Sequence, residues 1–130
     1  MGLDISVEPN GDSFRAGSYS SFHNWRSWLA SVSSGVNLDE LYEKNVWNSD
    51  MPFIDLLNHS DCDGKLGKRE CKRLSKDFQK YLFIILNGNR PNGGAFEDDD
   101  NFAWLIQRYL RWKSAVDDVA EGNNKMIRFC

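Results

Sequence analysis

The stretch "KRECKRLSKDFQKYLFIILN", residues 68–87, decides the fold class. Its apolar residues recur every three or four positions, at Cys71, Leu74, Phe78, Leu82 and Ile85. A helix completes a turn in about 3.6 residues, so this period lays them along one face. Lys68, Lys72, Arg73, Lys76 and Lys80 fill the rest of its surface. "NGNRPNGG", residues 87–94, stops it as a loop. A second helix follows in "FAWLIQRYLRWKSAVDDVAE", 102–121, with Phe102, Leu105, Ile106, Tyr109, either Trp112 or Lys113, and Val116 inward. The acidic run "EDDDN" before it suits a helix start, where free amides and the dipole favour negative charge. Gly122 ends it.

Upstream the pattern stays helical. "SSFHNWRSWLASVSS", 20–34, places Phe22, Trp25, Leu29 and Val32 on one face, and Gly35 stops it. "NLDELYEKNVW", 37–47, begins with Asn37 as cap and turns Leu38, Leu41 and Tyr42 inward. "SDMPFIDLLNH", 49–59, reads as a short helix with Asp50 as cap and Pro52 in its first turn. Between Phe14 and Phe22, Gly17 and the serines read as a loop rich in caps.

The two ends differ. "GLDISVEP", 2–9, alternates Leu3, Ile5 and Val7 with polar neighbours, the period of a half-buried strand closed by Pro9, Asn10 and Gly11. "KMIRFC", 125–130, is long enough for one more strand, paired with the first. The expectation is an α+β, predominantly helical single domain over 1–130, with a small sheet formed by the terminal strands.

Composition narrows the function classes. A net charge of −3 and a pI of about 5.3 argue against a dedicated nucleic-acid binder, which carries a basic excess. No apolar run is long enough to span a membrane, and the N-terminus lacks a secretion signal. Met-Gly with Ser6 matches a short lipidation pattern, but the same residues read better as strand. Three cysteines, an odd count, suit reduced thiols in a cytoplasm. With two histidines and no CxxC, zinc has no support.

Residues 59–70, "HSDCDGKLGKRE", nearly spell a calcium loop. Asp61, Asp63 and Glu70 fall on the third, fifth and twelfth positions, and Gly64 on the sixth. His59 stands first, where its side chain offers no oxygen. Three readings stand: a structural turn in which Asp61 and Asp63 cap the next helix, a polar turn binding something else, and a calcium site of Asp61, Asp63 and Glu70.

The second candidate is "AGSYSSFHNWR", 16–26. A Gly-Ser segment feeding a helix presents free amides and a positive dipole end, an anion site by construction. Gly17, Ser18, Tyr19, Ser20, His23 and Arg26 are its candidate ligand-binding residues, with Asp61 and Asp63 across from them. His23 and Arg26 lie three apart and could reach one ligand, and Tyr19 could stack on a flat ring. The plain alternative is an ordinary cap, with Arg26 bridged to Asp61 or Asp63.

Two surface features remain. The basic face from Lys65 to Lys80 could track phosphates, but more often such a face is simply solvated. Trp28 and Trp104 sit off their helical stripes, which fits a protein interface, an aromatic cage or plain helix contacts. Catalysis is thinly supported. Cys62 lies near His59 but among acids that raise a thiol's pKa, and there is no nucleophile elbow, Walker loop or HExxH.

"GSYSSFHNWRSWLA" (17–30), "PFIDLLNHSDCDGKLG" (52–67) with "CKRLSKDF" (71–78), and "YLRWKSAVDDVAEGN" (109–123) together resemble a family of small, mostly uncharacterised bacterial and phage proteins. Order and spacing agree from Gly17 to Phe129. The resemblance implies that Gly17, Ser18, Tyr19, Ser20, Trp25, Arg26 and the turn from Ser60 to Gly64 form one constellation, with no activity attached. The position of His59 is usually Phe in that pattern, which makes the calcium match accidental. The two motifs are then expected to meet, Arg26 or the serine-loop amides against Asp61 and Asp63, as a clasp or as the rim of a pocket. "NGNRPNGGAFEDDD" (87–100) and the basic "KLGKRECKR" (65–73) depart from the pattern and mark a partner surface particular to this chain.

The leading expectation is a non-enzymatic cytoplasmic binding protein of phage or bacterial origin. It would hold a small anionic or nucleotide-derived signalling ligand, without a cofactor. The alternatives are an inhibitor that binds a host defence enzyme, a calcium-binding module, and a metal hydrolase using Asp61, Asp63 and His59. A host protein and a second copy of the chain are further partners; nucleic acid is disfavoured.

Overall fold

The computed structural model describes residues 2–11, 13–45, 47, 50–59, 64–87 and 102–129. Strand β1 (Gly2–Glu8) and strand β2 (Ser13–Ser18) form a hairpin that runs directly into helix α1 (Tyr19–Ser34). Helices α2 (Leu38–Lys44) and α3 (Ile54–Leu57) follow, then strand β3 (Lys65–Gly67), helices α4 (Lys68–Leu86) and α5 (Phe102–Ala120), and strand β4 (Met126–Phe129). The expected helical α+β architecture with a sheet built from both chain ends is what is observed. No helix among the described residues is long and apolar enough to cross a membrane.

The sheet runs β2-β1-β4-β3, antiparallel throughout. β1 and β4 pair as the terminal alternation predicts, Ile5 opposite Phe129 and Val7 opposite Ile127. Leu3, Ile5, Val7, Ala16, Leu66, Ile127 and Phe129 are buried on one face. The other face carries cross-strand ion pairs, Arg15 with Asp4 and Arg128 with Glu8. In the hairpin turn, Gly11 donates its amide to the Val7 carbonyl at 2.9 Å, and a Cβ there would meet the Val7 side chain at 2.5 Å.

Two strands depart from the sequence expectation. The loop expected before α1 is strand β2, because Ala16 is buried and Phe14 packs against the core while β1 supplies the backbone partners. β3 lies inside the calcium-like segment and pairs with β4, with Leu66 as its buried residue. One helix is also shorter than expected. α3 starts at Ile54, and Phe53 takes a left-handed φ of 63° just before it. The Phe53 amide donates to Asp77 Oδ2 at 3.0 Å. The Phe53 ring, fully buried against Phe78 and Tyr109, anchors that backbone.

α4 and α5 form an antiparallel pair, with Tyr109 donating its hydroxyl proton to the Phe78 carbonyl at 2.6 Å. Cys71, Leu74, Phe78 and Ile85 face the core as expected, but Tyr81 joins them fully and Leu82 only in part. On α5 the inward residue is Trp112, not Lys113. Its ring stacks with Phe22 and Trp25 and touches Phe14 and Phe129, so one aromatic cluster ties α1, α5 and the sheet together. Trp28 and Trp104 are half-buried against the same core.

Candidate functional site

The N-terminus of α1 is built as the serines predict. Gly17, next to last in β2, has φ 110°, where a Cβ would be strained and would press on Ser21 at 3.2 Å. Ser18 caps the helix: its Oγ accepts from the Ser21 amide at 3.1 Å and donates to Ser21 Oγ at 2.9 Å. Ser20 Oγ lies 3.2 Å from Ser18 Oγ, and both side chains are exposed. Tyr19 packs partly against the core. The structure pairs His23 with a residue that the sequence reading missed. Its Nε2 lies 2.7 Å from Asp39 Oδ1 on α2, and its side chain stays one-third exposed.

Arg26 has a different environment. It is only 2% exposed. Its Nη1 donates to the carbonyls of Leu56 at 3.1 Å and His59 at 2.7 Å, and its guanidinium lies 4.5 Å over the Phe22 ring. The last carbonyls of a helix lack partners within it, and a guanidinium supplies several donors at once. Tyr42 adds its hydroxyl to the Leu57 carbonyl at 2.6 Å. Arg26 therefore fastens α1 to the end of α3 and to the entry of the acidic turn. Residues 60–63, including Asp61 and Asp63, lie outside the described residues.

The remainder of the calcium-like segment is described. His59 Nε2 lies 3.0 Å from the Lys65 carbonyl oxygen, so the first position bonds the carbonyl that would ligate an ion from the seventh. The His59 ring stacks on Phe129 at 4.0 Å, and the Phe129 amide donates to the Gly64 carbonyl at 2.9 Å. Gly64 has φ 101°, the left-handed backbone expected of it. Glu70 Oε1 accepts from the Gly67 amide at 3.2 Å, capping α4 from within. Among the described residues, no three His, Cys, Asp or Glu side chains converge on a metal-sized space.

The resolved electrostatic shifts lie in the interior beneath α4. Burial, helped by Glu70 and Asp55, pushes the Cys71 thiol up to about 12. Burial likewise raises Tyr109, and raises Asp77 although the Phe53 amide opposes the shift. All three belong to the packed interior between α4 and its neighbours.

No protein-family model, curated protein or solved structure matches this chain. The functional reading therefore rests on its own geometry.

That geometry directs attention to the outer face of α4. Arg69, Lys72, Lys76 and Lys80 are exposed along it at helical spacing. Arg73 is held apart by a bidentate pair with Asp55, at 2.9 and 2.6 Å. Lys80 lies 5.3 Å over the Tyr81 ring. The stripe ends in an apolar tip: Phe83 is 67% exposed, with Ile84 and Leu86 beside it.

Proposed function

We propose that this chain is a non-enzymatic binding protein whose partner is another protein, engaged through the outer face of α4. The observation that carries this is the continuity of a cationic stripe with an exposed phenylalanine on one helix. Exposed Arg69, Lys72 and Lys76 take no ion-pair partner among the described residues. The chain as a whole is acidic, so this face is a local reversal of sign. Cations alone would suit a phosphate backbone. Cations that end in apolar side chains suit an acidic protein surface with a hydrophobic pocket, where an aromatic anchor supplies most of the affinity. In the phage or bacterial setting that the family resemblance implies, a host defence enzyme blocked by occupation fits this chemistry.

The test compares two probes, a short acidic peptide with leucines at helical spacing and a DNA duplex of similar charge. Binding of the peptide, lost in both Lys76→Glu and Phe83→Ser, is the expected result. Duplex binding that depends on Lys76 and ignores Phe83 would sink the protein reading in favour of nucleic acid. Binding of neither probe would sink the role of this face.

A second reading, a small anionic or nucleotide-like ligand, keeps the support of one feature: the exposed Ser18 and Ser20 hydroxyls at the N-terminus of a sixteen-residue helix. A nucleotide at a hundredfold excess over its Kd would add about 2.7 kcal/mol of stability. That gain should disappear in Ser20→Ala if this reading holds.

A further inference from the structure

A groove of about 730 Å³ lies between the β1–β2 hairpin and the C-terminal half of α5. Its lining is mainly polar, with apolar surface from Val7, which is buried, Phe14, which is half-buried, and Leu110, which is open to solvent. Most of its polar groups already have partners. Lys113 is paired with Asp117, and Asn124 joins the Asp118 carboxylate to the Asn10 amide. These contacts fix the walls.

What they leave open is asymmetric. Arg111 stands exposed at one end, over the Phe14 ring at 5.3 Å, with a single donor engaged by the Ser13 carbonyl at 3.4 Å. Glu121 stands exposed at the other end, its carboxylate without a side-chain partner among the described residues. Ser114 and Asn123, both exposed, also line the groove. Arg111 and Glu121 are ten residues apart on nearly continuous helix, about 15 Å along its axis. An extended peptide advances about 3.3 Å per residue, so about four residues span that interval.

We propose that the groove between the β1–β2 hairpin and α5 binds a short extended peptide, its amino end at Glu121 and its carboxylate at Arg111. Opposite charges at the two ends set the polarity of the ligand. The Asn123 amide and the Ser114 hydroxyl bond its backbone, and Phe14 and Leu110 offer apolar contact to small side chains. This site is independent of the α4 face.

The probe is tetraalanine, titrated into the isotope-labelled full chain and followed by amide chemical shifts. Maltotetraose serves as a neutral comparator of similar length. The expected result is a set of shifts confined to the hairpin turn and to α5 from Leu110 onward. Exposed ion pairs are individually weak, so N-acetylation or C-amidation of the probe should each weaken binding about two- to fivefold. Glu121→Gln should abolish the effect of acetylation and leave that of amidation. Shifts elsewhere, affinity indifferent to both blocking groups, or shifts with maltotetraose alone would overturn the proposal. Both chemical modifications are on the probe, so the result survives even if a variant folds poorly.

Discussion

Arg26 Nη1 sits 2.7 Å from the carbonyl oxygen of His59, thirty-three residues away, and within bonding distance of the Leu56 carbonyl as well. The guanidinium is buried; the Leu56 carbonyl also accepts from the His59 amide at 3.3 Å, so losing Arg26 falls chiefly on the His59 carbonyl and on the packing over Phe22. Arg26→Ala should therefore cost about 2–4 kcal/mol in urea unfolding. Arg26→Lys should recover only part, because an ammonium cannot reach both carbonyls in the same plane. A loss below about 1 kcal/mol would show that the clasp is dispensable.

Asp77 offers a pH dependence of known sign. Burial raises its folded pKa above the ordinary 3.8, so the folded state holds its proton more tightly than the unfolded chain does. Stability from this group is complete below the unfolded value and is lost as pH rises through the folded one. Asp77→Asn keeps an oxygen acceptor for the Phe53 amide and removes the charge. The variant should be the more stable at pH 7, and its advantage should close as pH falls below about 4. Asp77→Ala loses the acceptor and should cost about 1–2 kcal/mol. An asparagine variant weaker than wild type at neutral pH would contradict this.

Cys71 should be chemically silent in the folded protein. Its thiol is fully buried and pushed up to about 12, so almost no thiolate exists at neutral pH. Mass-spectrometric mapping after iodoacetamide treatment should find Cys71 unlabelled until denaturant unfolds the chain. Rapid labelling under native conditions would mean that α4 opens locally.

The free edge of β2 is guarded from α5. Arg108 Nη1 donates to the Arg15 carbonyl at 3.0 Å, and Arg111 covers the Ser13 carbonyl. Unpaired edge carbonyls invite a second strand. Arg108→Ala should raise self-association, read by sedimentation at increasing concentration. A variant as monodisperse as wild type would leave the guard without a role.

Calcium should not change the melting temperature, because the His59 ring bonds the Lys65 carbonyl and Glu70 caps α4. A rise with millimolar calcium that vanishes in Glu70→Gln would restore the loop reading.

The helices and the terminal strands were legible because each carries its own period. The stripe on α4 and the alternation of Leu3, Ile5 and Val7 are local signals. β2 was not legible, since Phe14 and Ala16 offer only two apolar residues and the strand exists because β1 lies beside it. The start of α3 was misread for a related reason. Asp50 and Pro52 are sound local start signals, but Phe53 takes a left-handed φ and its amide is held by Asp77 from α4, a contact that only the fold supplies. For the site, the serine cap on α1 could be read from spacing alone. The partners of His23 and Arg26 could not, because Asp39 and the carbonyls of Leu56 and His59 reach them only through tertiary packing. The groove beside α5 has no sequence signature at all, since its two walls are a hundred residues apart along the chain.

The pairing of β1 with β4 also orders events in time. β1 is the first of these elements to leave the ribosome, yet β4, the strand that completes its inner side, is the last of them. β3 waits on the same strand. While the helices are being made the nascent chain therefore carries an open hairpin, and cooperative closure is deferred until β4 has emerged. A stop codon placed before Met126 should leave the helices without a finished sheet to close on, and the shortened product should be degraded rather than accumulate.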